Sequence, residues 1–334
     1  MLIPFSAITG QDKARQYLTS ASKRGKLSHA YLFKGPGGVG KKMMAHAFAA
    51  LLNCQAPQGQ EICGNCPSCR KFASGNQPDL LLLEPEGAGI KIKQIRDLQQ
   101  KLTFPPFEAK ERLVLLADVH ETMRRAEVAN ALLKTLEEPP ERTILILTVN
   151  ESTAVLPTII SRCQTVPFHP LPEAEVSRLL VTQGVEEEEA LALAAVSGGS
   201  PGRAHTLHKK ELLQLRADLV AQFTSLAEDR TATVTQVFAM AAQAAALQDD
   251  LEQLLDLLAG WLRDLLLLKN GAGGHLAAGH GMAELLQQGA CCWPAKALEK
   301  KVAQLQQARR QLAHNCNRTL TLEVLFFALL GEKC

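Results

Sequence analysis

The residues best placed to do chemistry begin at Gly35. Gly35-Pro36-Gly37-Gly38-Val39-Gly40-Lys41 meets the spacing G-x-x-x-x-G-K. Glycines at these points let successive backbone N–H groups turn inward around phosphate oxygens, and the lysine adds a full positive charge. A Ser or Thr normally follows and gives its hydroxyl to Mg²⁺. Here the position is Lys42. The pattern predicts a nucleotide-shaped pocket in which one catalytic part is missing. A glycine-rich turn without a ligand is the plain alternative.

A second constellation, Cys54-x8-Cys63-x2-Cys66-x2-Cys69, sets four thiols within sixteen residues. Gly64, Asn65, Pro67 and Ser68 predict tight turns between them. Such spacing suits Zn²⁺, with Zn–S bonds of about 2.3 Å on a tetrahedron. Four thiolates leave no open position, so the metal would be structural. Disulfides are the alternative. A nucleic-acid knuckle is weaker, since only Arg70 and Lys71 follow the last cysteine.

Other candidates stand where strands should end. Arg112 to Asp118 is an apolar run closed by an acid, where a carboxylate would reach Mg²⁺ through water or simply cap the next helix. Glu121 is a weaker candidate base. Asn150 follows the run Thr143 to Thr148, where its side chain would orient a water near a γ-phosphate. Leu27-Ser28-His29-Ala30 precedes the phosphate loop and is either ordinary packing or the adenine-side wall. Gly198-Gly199-Ser200-Pro201-Gly202-Arg203 sets an arginine at the start of a helix. Arg162 lies in Ile160-Ser161-Arg162-Cys163 with no acid within five positions; by itself it reads as a surface or distantly paired arginine.

The elements that must position these residues alternate. The strand at Tyr31 to Phe33, a helix from about Met43, the strand LLLLEP after Asp79, an amphipathic helix ending near Leu102 and the helix Ala126 to Glu138 predict a parallel sheet covered on both faces. Leu171-Pro172 is a boundary. Three short helical patterns follow, then helical periodicity to the end of the chain, broken by a glycine-rich gap at 271–281. This predicts an α/β P-loop domain over 1–170, a small helical lid over 171–209 and an all-α domain over 210–334. The 334 residues are enough for two or three domains. The net charge of +2 does not announce a nucleic-acid binder, and 4% aromatics argue against a base-stacking platform. The start, MLIPFSAITGQDKARQ, lacks the features of a signal peptide, and no apolar run reaches the ~18 residues that span a bilayer. A soluble, cytoplasmic protein with no membrane partner is the expectation. Nine cysteines then read as metal ligands or thiols before disulfides.

HAYLFKGPGGVGKK, the four-cysteine knot, QPDL, NALLKTLEEPP, ISRC, GGSPGR and NCNRTLTLE occur in this order. Together they resemble the clamp-loader subunits of bacterial DNA polymerase III, of the AAA+ class. The resemblance runs nearly end to end. It implies that the all-α domain is an oligomerisation collar and that the zinc ligands are Cys54, Cys63, Cys66 and Cys69. It also implies that Arg162 is a trans-acting arginine finger and Arg203 a sensor arginine. The family's motor subunits, gamma/tau, end the phosphate loop in Thr and carry an Asp-Glu pair on the neighbouring strand. Lys42, and Val119 after Asp118, make this chain similar to the non-motor, delta-prime branch instead. That implies a place in a hetero-pentameric ring with gamma/tau and delta, acting on the sliding clamp and primed DNA, with slow or absent ATP turnover of its own. A competent motor and a small-molecule P-loop kinase are the competing expectations. No two-metal carboxylate set for polymerisation is visible.

Overall fold

The computed structural model describes residues 2–86, 89–119, 126–150, 155–225, 230–272 and 283–331. It divides into two compact units, Met1–Leu171 and Pro172–Cys334. Most of the glycine-rich gap, from 273 on, and Cys334 lie outside the described residues.

The first unit holds α1 (Asp12–Lys23), β1 (Ala30–Lys34), α2 (Lys41–Leu52), α3 (Pro67–Ser74), β2 (Leu80–Leu83), α4 (Ile92–Leu102), β3 (Arg112–Leu116), α5 (Ala126–Glu137), β4 (Thr143–Val149), α6 (Pro157–Ile160) and β5 (Gln164–Pro167). The strands form one sheet in the order β2-β3-β4-β1-β5, and every neighbouring pair is parallel. This is the parallel α/β sheet expected from the sequence. β3 and β4 are buried along their whole length, because helices cover both faces. Tyr31, Phe33, Leu113 and Ile146 face a core shared with Leu18, Met44 and Phe48. Their strand neighbours Leu32, Val114, Leu116 and Leu147 face the other core, with Ile95, Leu98 and Leu132. Sheets buried on both faces read as unbroken apolar runs, which is why the sequence shows no alternation there.

Asp79, in QPDL, organises a loop. Its buried carboxylate accepts N–H bonds from Phe107 (2.8 Å), Glu108 (2.8 Å) and Ala109 (2.9 Å) and takes the Arg112 guanidinium at 3.3 Å. Arg112 in turn donates to the carbonyls of Lys101, Phe104 and Pro105. The buried ion pair therefore has its remaining donors and acceptors met by backbone, the condition under which such a pair is tolerated. The exposed Phe104-Pro-Pro-Phe107 loop owes its shape to this network.

The second unit is helical: α7 (Glu173–Thr182), α8 (Glu187–Val196), α9 (Pro201–Lys209), α10 (Leu212–Ser225), α11 (Arg230–Ala245), α12 (Leu251–Lys269), α13 (Ala283–Cys292), α14 (Ala295–Ala313) and α15 (Arg318–Leu330). Trp261 and Trp293 meet edge to face at 5.7 Å in its core. The buried Lys301 ammonium donates to the carbonyls of Ala328, Leu329 and Gly331 at 3.1, 2.7 and 2.6 Å. A cation there satisfies the free carbonyls at the end of α15 and meets the negative end of its dipole. Among the described residues no helix is long and apolar enough to cross a membrane.

The Asp79 carboxyl is held below the usual carboxylate range. Burial pushes it up, but the Glu108, Ala109 and Phe107 N–H groups and Arg112 outweigh that. Asp79→Ala is expected to cost about 3–5 kcal/mol, because Arg112 is left buried and unpaired. A group whose native pKa is depressed stabilises the fold above its unfolded value and loses that effect as pH falls through the native one. In urea unfolding, the gap between native and Asp79→Asn chains should therefore narrow as pH drops below about 4. A gap unchanged down to the acid limit would rule the carboxylate out as its source.

Candidate functional site

Parallel strands deliver their carboxyl ends to one edge, and four candidate segments emerge there. The phosphate loop follows β1, Glu84 follows β2, Asp118 lies just past β3, and Asn150 follows β4. The loop is tied down on both sides. The Gly35 N–H donates to the Val149 carbonyl at 3.2 Å, and the Phe168 N–H donates to the Lys34 carbonyl at 2.7 Å. A Cβ at Gly35 would stand 2.3 Å from the Phe168 carbonyl oxygen, so only glycine fits. Gly38 and Gly40 take the left-handed φ values of 73° and 100°, which other residues adopt at a cost. Between these glycines Pro36, Gly37 and Val39 complete the loop. Gly40 is the N-cap of α2 and caps it without a side chain.

Lys41 opens α2, and its buried ammonium donates to the carbonyls of Gly35 (2.5 Å) and Pro36 (2.6 Å) and to Asn150 Oδ1 (3.3 Å). Two residues chosen from separate stretches of sequence thus meet. Gln11 was not foreseen. Its side chain donates to the His169 carbonyl at 2.7 Å, accepts the His169 N–H at 3.1 Å and reaches the Val39 carbonyl at 3.4 Å. It braces the loop from the side of β5. A lone glutamine at a helix start carries no motif that would have revealed this.

Lys42 points elsewhere. Its ammonium pairs with Glu84 Oε1 at 3.1 Å and Asp118 Oδ2 at 3.4 Å. Burial lowers its pKa, but the hydrogen bond to Glu84 and the charge of Asp118 raise it above the ordinary lysine value. Asp118 has a φ of 48°, and its N–H is held by Thr148 Oγ1 at 2.9 Å. Glu84 was also missed, though it ends the β2 run much as Asp118 closes the β3 run. Glu121 lies outside the described residues. The stretch Leu27 to Ala30 sits at the amino end of β1, at the edge of the sheet opposite the loop. There the Ser28 N–H donates to the Tyr31 hydroxyl at 3.0 Å. It makes local contacts there, the Ser28 hydroxyl also donating to the Ala30 carbonyl at 3.0 Å.

Arg162 follows α6. Its guanidinium donates to the Thr158 carbonyl at 2.9 Å and to Glu137 Oε1 at 2.6 Å. The acid comes from the last residue of α5, twenty-five positions back, and the local sequence gave no sign of it. Arg203, in the second unit, pairs with Asp256 of α12 at 3.2 Å. Asp256 is shared with Arg309 of α14, which also approaches Glu252 at 3.5 Å.

The four cysteines converge. All four sulfurs lie within 4.8 Å of one another, with 4.0 Å between Cys63 and Cys69 and 3.8 Å between Cys69 and Cys54. These separations are about twice a disulfide bond of ~2.05 Å and suit a tetrahedral ion. Backbone N–H groups aim at three sulfurs: Cys63 at Cys54 (3.4 Å), Cys66 at Cys63 (3.3 Å) and Cys69 at Cys66 (3.4 Å). Such donors favour thiolates. The cluster can hold a metal ion. Pro67 and Ser68, expected in a tight turn, instead open α3, with Cys66 as its N-cap; Pro at a first helical position is favoured, since its missing N–H would be unpaired there. The Glu61 carboxylate fastens this module to the N-terminal segment, accepting from Phe5 at 3.0 Å and Ser6 at 2.8 Å.

Residues 10–172 match the family model described as DNA polymerase III, delta subunit, and residues 210–329 match that of its C-terminal part. The delta' subunit of DNA polymerase III from Pseudomonas aeruginosa is 39% identical over 214 residues, covering 63% of this chain and 64% of the relative. That from Bacillus subtilis is 34% identical over 216 residues, 65% of each chain. The match thus spans somewhat under two thirds of these relatives' own length. A solved gamma subunit-related protein of DNA polymerase III from Thermotoga maritima aligns over 94% of this chain and 98% of its own, with TM-score 0.44 and 18% identity. With its two parts matched by two models of one subunit, the chain belongs to the DNA polymerase III delta-subunit family.

Proposed function

We propose that this chain is a delta-prime-type subunit of the clamp-loader ring and works in trans. In this reading it sits beside a gamma/tau motor subunit in a hetero-pentamer that also contains delta. The ring opens the sliding clamp and places it on primed DNA, and this chain offers Arg162 to the motor's nucleotide. One observation carries the reading: Arg162 is partly exposed, and its planar fork is already oriented by Thr158 and Glu137. A guanidinium held so and presented to a neighbour's γ-phosphate stabilises transition-state charge without reorganising. The chain's own loop lacks the hydroxyl that holds Mg²⁺, so its own turnover is negligible, against the motor reading. Arg203 and its pairing with Asp256 belong to the lid and collar of the same scheme. The collar reading draws on an exposed apolar face: Leu320, Val324 and Phe327 of α15 lie beside Val234 and Phe238 of α11, with the Phe238 and Phe327 rings 6.0 Å apart. Unpartnered apolar faces of this kind mark interaction sites.

In this reading the four cysteines hold a structural Zn²⁺. Purified chain should contain one zinc, and Cys66→Ser should lose it and destabilise the first unit, since metal binding energy becomes folding energy. Metal analysis that finds none, with all four thiols freely reactive in the native chain, would exclude this.

Arg162→Ala should fold and join the ring. Hydrolysis at the neighbouring motor site should fall by roughly 10³-fold or more, and clamp loading onto primed DNA should fall with it. Arg162→Lys should not rescue, because an ammonium lacks the planar fork. An assembled mutant ring that hydrolyses ATP and loads clamps at the native rate would remove the trans role.

A further inference from the structure

The phosphate loop poses a question that the trans role leaves open: what cation, if any, it uses. In P-loop proteins a divalent ion is held between a hydroxyl on the residue after the loop lysine and a carboxylate past the neighbouring strand. The residues present here do not fit that ion. The hydroxyl position is Lys42, which offers donors only. The carboxylate, Asp118, already has the Lys42 ammonium at 3.4 Å, and the same ammonium is 3.1 Å from Glu84. A magnesium ion at Asp118 would stand against the like charge of the Lys42 ammonium and would gain no protein hydroxyl in return.

We propose that the Lys42 ammonium stands in for the divalent cation, so that this loop binds a nucleoside polyphosphate without metal. The parts that recognise phosphate do not require an ion. Gly38 and Gly40 keep the left-handed φ values that a loop needs to turn its backbone N–H groups around phosphate. The first turn of α2 has no side-chain cap competing for its donors. Lys41 stands at the loop on carbonyls of Gly35 and Pro36 and on Asn150; with three donors it can keep one of these and meet a phosphate. Lys42 sits one residue further on, with its charge balanced by groups that follow β2 and β3. Both acids are substantially exposed, Glu84 by 54% and Asp118 by 37%. The ammonium can therefore swing from Glu84 toward a polyphosphate at little cost, since exposed ion pairs are weak. The outcome is a site that holds the phosphates but lacks the metal that phosphoryl transfer depends on.

The test uses the isolated full-length chain and the fluorescent analogue mant-ATP, titrated in EDTA and in Mg²⁺. Binding is expected in EDTA, with a Kd within twofold of that in Mg²⁺. Lys42→Thr should make binding at least tenfold tighter in Mg²⁺ than in EDTA, and Lys41→Ala should weaken binding at least tenfold in both. Unchanged thermal unfolding of each variant verifies folding. The proposal fails if the native chain binds tenfold more tightly with Mg²⁺, if Lys42→Thr stays indifferent to metal, or if neither buffer supports binding. Because the assay needs no ring, its failure leaves the role of Arg162 standing, and the ring assay leaves this one standing.

Discussion

Every candidate residue of the first unit that gathers near the phosphate loop does so because five strands pair in parallel. Parallel pairing sends all carboxyl ends to one edge, so the segments after β1 to β4 arrive together although up to 115 positions separate Gly35 from Asn150. The pairing is possible only because helices cover both faces and hide the apolar runs of β3 and β4 from water. The order of strands decides which segments are neighbours. β1 lies between β4 and β5. Gly35 is therefore held by Val149 on one side and crowded by Phe168 on the other, and no side chain larger than a hydrogen fits between.

Two buried charges are completed by backbone groups. Asp79 takes three N–H groups besides Arg112, and Lys301 gives its donors to three carbonyls. Desolvating an ion costs several kcal/mol unless its partners are in place, and in both cases the partners are chain segments that would otherwise be poorly defined: the 104–109 loop and the end of α15. Partly exposed pairs behave differently. Arg162 with Glu137 and Lys42 with Glu84 and Asp118 contribute little to stability. They fix where a long, mobile side chain points, which is what a site needs.

The two lysines at the start of α2 show how a helix separates adjacent residues. Lys41 and Lys42 project in directions about 100° apart. One turns back onto the loop carbonyls, and the other reaches out to the acids after β2 and β3. The lysine at the second position sets an ammonium, and no hydroxyl, beside Glu84 and Asp118.

Much of this was readable from the chain alone. The loop spacing, the four-cysteine spacing and the alternation of apolar runs with helical patterns are local signals, and local signals survive in one dimension. They determined the class of sheet, the glycine-rich turn between β1 and α2 and the grouping of the thiols. What the sequence could not supply were partners chosen by strand order and packing. Glu137 for Arg162, Glu84 for Lys42, Gln11 for His169 and Arg112 for Asp79 lie between 25 and 158 positions apart. No periodicity links such residues. Their meeting was decided only when the sheet set which strand ends lie side by side, because an ion pair or a hydrogen bond depends on distance in space, to which separation along the chain is nearly irrelevant.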